Sequence, residues 1–121
     1  GGLPFTEAEE REIFAELDKE YVSGITFSGG DPLHPSNISA VTALARKIKE
    51  KYPNKTIWLY TGSLWEEIQH EEILRYLDVL VDGEFQVEKL DVGLKWKGSS
   101  NQRVIDVPST LCEHRIVLHA E

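Results

Sequence analysis

Short apolar runs that alternate with helical patterns are the feature that most constrains this fold. The runs at 24–27, 56–60 and 78–83 are rich in β-branched and aromatic side chains, which predicts three buried strands. A helical pattern precedes the first run, and another lies between each run and the next. Since each intervening helix returns the chain to the same end of the sheet, this order predicts an α/β fold with parallel strands and right-handed crossovers.

The helical patterns carry their own start signals. A first helix is predicted over about residues 7–20, after a capping box at Thr6–Glu9. A second has an apolar stripe over residues 38–52. A third begins at another capping box, Ser63–Glu66, and extends in pieces to Tyr76. All 121 residues are interpreted as one domain, with no repeat and no linker.

The end of the chain has a weaker pattern. A last short strand is predicted at Arg103–Val107, ended by Pro108. The tail after it contains Cys112, His114 and His119, but their spacing fits no standard zinc pattern. We therefore interpret residues 108–121 as a tail or a terminal strand and predict no metal site there.

Composition excludes several classes of function. The formal net charge of −8 would repel a phosphate backbone, which argues against nucleic acid as a partner. No apolar run approaches the ~18 residues of a membrane span. A single cysteine excludes an internal disulfide framework and favours a cytoplasmic setting. The chain begins Gly1-Gly2 and contains no methionine, so we interpret it as a fragment or a processed product.

Small and polar residues follow the predicted strands. Because ligands of α/β sheets bind beyond the carboxyl ends of the strands, these residues are the candidate binding site. Several of them are glycines, which allow a ligand to approach the backbone closely. The candidates are Gly29, Gly30 and Asp31 after the first strand, Thr61 after the second, Asp82 in the third, and Ser99 and Asn101 before the fourth.

Each candidate has a structural alternative. The carbonyls of Gly29 and Gly30 and the carboxylate of Asp31 are acceptors suited to an ammonium group, but the same residues also form ordinary turns. Thr61 is equally typical of a helix cap, and Asp82 of a turn. The segment from 95 to 103 has the composition of a solvated loop as well as of a binding loop. No phosphate-binding motif is present.

Four segments together resemble a known family. "SGGDPLHP", "YTG", "LVDGEF" and "WKGSSNQRVIDV" occur in this order, within about residues 4–107. They closely resemble the activating proteins of anaerobic (class III) ribonucleotide reductases, which are small radical S-adenosylmethionine enzymes. The resemblance implies a partial (β/α) barrel with parallel strands, truncated here at its N-terminus.

The resemblance also implies a reaction. A four-iron four-sulfur cluster passes one electron to the sulfonium of S-adenosylmethionine, and a 5′-deoxyadenosyl radical results. That radical removes a hydrogen atom from a glycine of the reductase and leaves a glycyl radical. The implied partners are the reductase and a reductant such as flavodoxin.

Site residues are implied as well, and all of them bind cofactor. Gly29, Gly30 and Asp31 match the motif that holds the methionine amino group of S-adenosylmethionine. Thr61 and Asp82 match positions near its carboxylate, in contact directly or through a cation. The stretch Ser99–Arg103 and the pair Val104–Ile105 match a region beside the nucleoside, and we select Ser99, Asn101 and Val104 from it as candidates.

One departure from the family is large. The family binds its cluster through a CxxxCxxC loop upstream of the stretch that matches Pro4–Thr6, and this chain has only Cys112, near its other end. One thiolate does not hold such a cluster. The chain as given is therefore predicted to have no radical activity, although its parent would. The alternatives are a non-catalytic α/β binding module and another small radical enzyme, such as a deazapurine synthase.

Overall fold

A four-stranded sheet organises the chain, and helices cover one of its faces. The computed structural model describes residues 7–120. The elements in chain order are α1 (Glu7–Leu17), β1 (Gly24–Phe27), α2 (Ile38–Lys51), β2 (Thr56–Tyr60), α3 (Trp65–Ile68), a 3₁₀ helix (Glu72–Tyr76), β3 (Val79–Asp82), a 3₁₀ helix (Val87–Lys89), β4 (Arg103–Asp106) and α4 (Val107–Glu113).

The strands lie in the order β1-β2-β3-β4, and the first three are parallel. The expectation that all strands are parallel is wrong for β4, which runs antiparallel to β3 with Asp82 opposite Arg103. The cause is the connection, because the chain between β3 and β4 has only a three-residue helical turn and does not cross back over the sheet. Within residues 7–120 the sheet is open, so the mixed α/β class is confirmed and the barrel is not.

The two faces of the sheet carry two separate apolar clusters. The main core lies between the sheet and the helices, where Phe27, Leu59 and Leu80 meet the stripe of α2. Burial of this stripe, which includes Leu44 and Ile48, explains why the sequence folds as a helix there. The opposite face, called here the open face, is covered in part by Trp96 of the β3–β4 connection. Its other members are Trp58, Tyr60, Val79, Val81 and Val104.

Helix boundaries differ from the predictions at the end of α1 and at the start of α3. Helix α1 ends at Leu17 rather than near residue 20, and Tyr21 is 80% exposed. Helix α3 begins one residue later than its capping box predicts, because the backbone N–H of Leu64 donates to the Glu67 carboxylate at 2.8 Å. The Thr6 half of the first capping box lies outside the described residues.

Helix α4 was not predicted. Pro108 lies in its first turn, where proline is tolerated because its missing N–H has no partner in the helix. The Asp106 carboxylate caps this helix by accepting from the Ser109 N–H at 3.0 Å. After α4 the chain turns back, and Leu118 forms an isolated antiparallel β-bridge with Ile105.

Over residues 7–120, every helix is too short or too polar to be a candidate membrane span.

Candidate functional site

The predicted site residues lie along one edge of the sheet. The parallel strands β1, β2 and β3 end there, and the antiparallel strand β4 begins there. Asp31 follows β1, Thr61 follows β2, Asp82 ends β3 and Asn101 precedes β4. We call this edge the carboxyl edge. The topology therefore brings all four residues to one side of the molecule, as the sequence analysis expected.

The glycine turn after β1 is held in left-handed backbone geometry. Gly29, Gly30 and Asp31 have φ values of 72°, 25° and 21°. A Cβ at Gly29 would meet nothing within 4 Å, so the backbone here is open to a ligand. The turn is fixed from below by Asn37, whose buried amide donates to the carbonyls of Gly30 at 2.8 Å and Asp31 at 3.1 Å.

Asn37 is a site residue that the sequence analysis missed. A polar residue directly before a helix is normally assigned as its N-cap. Here the side chain makes no cap bond to α2 and turns back to the glycine turn instead. Its position just before Ile38 was the only available signal, and that signal indicated a different role.

The Asp31 carboxylate joins the exits of β1 and β2. It accepts hydrogen bonds from the Leu33 N–H at 3.0 Å, the Thr61 hydroxyl at 2.9 Å and the Gly62 N–H at 3.0 Å. The Thr61 hydroxyl in turn accepts from the Ser63 N–H at 3.2 Å. Asp31 is therefore partly buried and largely occupied by protein donors. What it presents to a ligand is a fixed negative charge with little unused acceptor capacity.

Asp82 points away from the open face. Its side chain is fully buried and accepts from the Trp65 N–H at 2.8 Å, at the start of α3. The Arg103 guanidinium binds the same carboxylate at 2.5 Å and reaches Glu66 at 2.7 Å. Hydrogen bonds to Asp82, and then to Glu66, raise the pKa of Arg103 above its ordinary value.

The contact with Arg103 lowers the pKa of Glu66. The hydrogen bond from Arg103 is the main reason that the pKa of Glu66 lies below its ordinary value. This carboxylate is more than half exposed, so solvent screens the pair and its contribution to stability is small. The sequence analysis did not single out Arg103 or Glu66, because they meet only through the pairing of β3 with β4.

The loop before β4 is built around Gln102. Its buried amide donates to the Gly83 carbonyl at 3.0 Å and accepts from the N–H groups of Gly98 at 3.0 Å and Ser99 at 3.1 Å. Ser99 is fully buried, and its hydroxyl accepts from the Gln86 N–H at 3.2 Å. The structure thus places Ser99 inside the loop, where it has protein partners.

Asn101 lies on the same loop and has one unused acceptor. Its Nδ2 donates to the Glu84 carbonyl at 2.7 Å. Its Oδ1 is buried and has no hydrogen-bond partner among residues 7–120. A buried acceptor without a partner is costly unless something donates to it. Among the side chains predicted to bind the cofactor, Asn101 has an acceptor that no described residue uses.

Val104 belongs to the open face rather than to the turn region. It packs with Trp96, Val81 and their neighbours. The Trp96 carbonyl accepts from the Tyr60 hydroxyl at 2.5 Å, and Trp96 has a φ of 68°. The ring of His119 packs edge-on against Trp96 at 5.0 Å between centroids. Val104 therefore sits beneath an aromatic cover formed by the β3–β4 connection and the tail.

Metal ligands are not grouped in the described part of the chain. No cluster of three or more His, Cys, Asp or Glu side chains there has the arrangement to hold a metal ion. Cys112, the single cysteine, is exposed on α4. The donor set of residues 7–120 thus does not fit an iron–sulfur cluster, which needs several thiolates.

Comparison with known proteins gives the family. A family profile described as "4Fe-4S single cluster domain" matches residues 1–105. The anaerobic ribonucleoside-triphosphate reductase-activating protein of Vibrio cholerae is 44% identical over 105 residues, 84% of this chain and 68% of that protein. The chain belongs to this family of activating proteins. The proteins of the same name from phage T4 and Escherichia coli K12 are each 40% identical, over 65% and 70% of their lengths.

The chain spans about two thirds of the length of these relatives. The resemblance identified from the sequence segments is confirmed. No solved structure is significantly similar to the chain. The 105 residues that match the cluster-domain profile contain no cysteine, since the single one is Cys112. The chain therefore belongs to the family although the residues that match the profile supply no cysteine ligand for a cluster.

Proposed function

We propose that this chain is the S-adenosylmethionine-binding part of an activating enzyme for an anaerobic ribonucleoside-triphosphate reductase. The observation that carries the proposal is 44% identity over 84% of the chain to a protein of that name. The enzyme class we assign is a radical S-adenosylmethionine oxidoreductase that forms a glycyl radical on the reductase. The setting is cytoplasmic, and the electron comes from a reductant such as flavodoxin.

The proposed role of this chain is to bind and orient the cofactor. The chemistry that S-adenosylmethionine supplies is a hydrogen-abstracting radical, formed by its reductive cleavage. Two features of the carboxyl edge support binding there: the open backbone at Gly29 and the unused acceptor of Asn101. Gly30 and Asp31 complete the turn, and Thr61 holds the Asp31 carboxylate in place.

The proposed residues have different parts in binding. Gly29, Gly30 and Asn101 offer acceptors for the donors of the methionine and nucleoside groups. Asp31 contributes a fixed negative charge that favours an ammonium group. Ser99 and Val104 shape the loop and the open face beside the cofactor. No step is assigned to a cluster, because these 121 residues do not supply its thiolates.

A second candidate function has one observation in its favour. The cysteine-free match to the cluster profile also fits a non-catalytic module that binds S-adenosylmethionine or a partner protein. A CxxxCxxC motif encoded elsewhere in the same gene would favour the activating enzyme. A full gene without such a motif would favour the binding module.

The test is the affinity for S-adenosylmethionine, measured by isothermal titration calorimetry. In Asp31→Asn the new amide would place a donor against the N–H of Gly62 or Leu33, and the negative charge would be lost. Hydrogen bonds to a charged group are worth about 1.5–3 kcal/mol, and here such bonds hold the glycine turn in place, so we expect roughly ten- to hundredfold weaker binding.

Asp91→Asn is the matched control. Asp91 also accepts from the backbone N–H two residues ahead, at 2.9 Å, but it lies in the exposed β3–β4 connection. Its substitution is expected to leave the affinity unchanged. Equal affinities for the Asp31→Asn variant and the unsubstituted protein would reject the role given to Asp31.

A further inference from the structure

The hydrogen bonding of Asp82 differs from that of a ligand-binding carboxylate. Its Oδ1 accepts from the backbone N–H of Arg103 at 3.2 Å and from Arg103 Nε at 3.1 Å. Its Oδ2 accepts from the Trp65 N–H at 2.8 Å and from Arg103 Nη2 at 2.5 Å. A carboxylate has about four acceptor positions, so protein donors use the capacity of this one.

Arg103 ties this carboxylate to α3. Besides Asp82 it binds Glu66, with Nη2 to Oε1 at 2.7 Å and Nη1 to Oε2 at 3.2 Å. One guanidinium therefore joins β3, β4 and the first turn of α3. Its planar fork suits this two-carboxylate arrangement, which a lysine would not reproduce.

The segment between β2 and α3 is held to β3 at three points. The Thr61 N–H donates to the Val81 carbonyl at 3.0 Å, and the Gly83 N–H donates to the Ser63 carbonyl at 2.9 Å. The third point is the bond from the Trp65 N–H to Asp82. We call residues 61–65 the β2 exit segment. It carries the Thr61 hydroxyl and the Gly62 N–H that hold the Asp31 carboxylate.

We propose that Asp82 and Arg103 are a positioning pair for the β2 exit segment, and that Asp82 contacts neither the cofactor nor a cation. The pair fixes the start of α3, which sets the place of Thr61 and Gly62, which in turn orient Asp31. This differs from the role that the family resemblance implies for Asp82. The part that concerns cofactor affinity rests on the proposed function.

The first test needs no ligand. The variant Arg103→Gln removes the guanidinium, and the matched control is Arg115→Gln, because Arg115 forms an exposed pair with Glu113 at 2.6 Å. The readout is the amide proton shift of Gly62 and of Leu33 in nuclear magnetic resonance spectra. Both amides donate to Asp31, but only Gly62 lies in the β2 exit segment.

We expect the Gly62 resonance to move upfield in Arg103→Gln, as its hydrogen bond lengthens, while Leu33 changes little. Arg115→Gln should move neither resonance. Arg103→Lys, which keeps the charge but not the fork, should give a smaller Gly62 shift. A Gly62 resonance that stays in place in Arg103→Gln would overturn the proposal.

The second test is a double-mutant cycle on the affinity for S-adenosylmethionine. If the two residues act as one unit, Arg103→Gln and Asp82→Asn each weaken binding about tenfold. The double variant should then bind S-adenosylmethionine about as well as the single variant with the lower affinity. If Asp82 instead contacted the cofactor or a cation, Arg103→Gln would free its carboxylate and keep or improve the affinity, and that result overturns the proposal.

The two tests separate the two proposals. Should Asp82→Asn not fold, the response of affinity to Arg103→Gln alone still distinguishes positioning from direct contact. Should the unsubstituted protein bind no S-adenosylmethionine, the proposed function fails. The Gly62 and Leu33 resonances would then still decide whether the pair positions the β2 exit segment.

Discussion

Thr61 shows how the structure gives a side chain partners that its residue type alone did not indicate. Its residue type was compatible with a helix cap or with a ligand contact. In the structure its hydroxyl donates to the Asp31 carboxylate at 2.9 Å and accepts from the Ser63 N–H at 3.2 Å. Its two hydrogen bonds thus connect the glycine turn to the β2 exit segment. Any effect it has on a ligand passes through Asp31.

The first prediction concerns this hydroxyl. Thr61→Val keeps the shape of the buried side chain but leaves the Ser63 N–H without its acceptor and removes one of the three donors to the Asp31 carboxylate. We expect a loss of about 1–3 kcal/mol in the free energy of unfolding, measured by urea denaturation. Thr61→Ser keeps the hydroxyl and is expected to lose less. If Thr61→Val were as stable as Thr61→Ser, the hydrogen bonds of the hydroxyl would contribute nothing to the free energy of unfolding.

At the scale of elements, the pairing of β1 with β2 sets where the glycine turn lies. Gly24 faces Thr56 at the start of this pairing. A Cβ at Gly24 would overlap the Thr56 carbonyl and hydroxyl oxygens, so the two strands approach each other only because Gly24 has no side chain. The backbone of β2 is also held from its other edge, because the Asp78 N–H donates to the Ile57 carbonyl at 2.8 Å and β3 pairs with β2 from Trp58 onward.

We therefore expect Gly24→Ala to separate β1 from β2. Overpacking of this kind costs about 1–3 kcal/mol, and it should speed hydrogen exchange at the amides of Thr56 and Trp58. These amides lie on the edge of β2 that faces β1, where the Thr56 N–H donates to the Ser23 carbonyl at 3.0 Å. Gly29→Ala is the control, because a Cβ there meets nothing within 4 Å. That variant has a left-handed strain of about 1–2 kcal/mol but should leave exchange in β2 unchanged. Equal exchange rates in both variants would contradict the argument.

At the scale of the whole molecule, the proposed binding edge and the cluster ligands are separable. The carboxyl edge has its glycine turn, the hydrogen bond between Thr61 and Asp31, and the Asn101 acceptor in place within residues 7–120. Cluster ligands are a different matter, because a single thiolate is present among the 121 residues. Binding of the cofactor and assembly of the cluster should therefore respond independently to experiment.

Anaerobic reconstitution with iron and sulfide tests this separation. We expect this chain to show no cluster absorption band in the visible region, because several thiolates are needed to hold a cluster. Cys112→Ser removes the last thiolate and should give the same spectrum as the unsubstituted chain. A band that appears with the chain and is lost in Cys112→Ser would show that Cys112 does help to hold a cluster, and would contradict this expectation.

Much of the fold follows from the sequence because its signals are local. The alternation of apolar runs and helical stripes placed α2, β1, β2 and β3 close to their observed bounds. The residue order also placed Asp31, Thr61 and Asp82 at strand ends, and parallel strands end at a common edge. Four short segments were enough to predict the family that the curated relatives confirm.

The direction of β4 and the existence of α4 required the tertiary structure. Strand direction depends on where the β3–β4 connection travels, and no local periodicity records that path. Pro108 was interpreted as the end of a strand, although the same residue is compatible with the first turn of a helix. In both cases the local signal fitted two structures, and packing selected one.

The sequence by itself determined most of the helices and strands and which polar residues stand at the carboxyl edge, because those depend on neighbours along the chain. Only the tertiary structure decided what each of those residues binds. Asp82 finds its partners 17 and 21 residues away, at Trp65 and Arg103, and Asn37 reaches back to the glycine turn. Such partners are set by strand register and by the angle at which a helix begins, and both exist only once the sheet has formed.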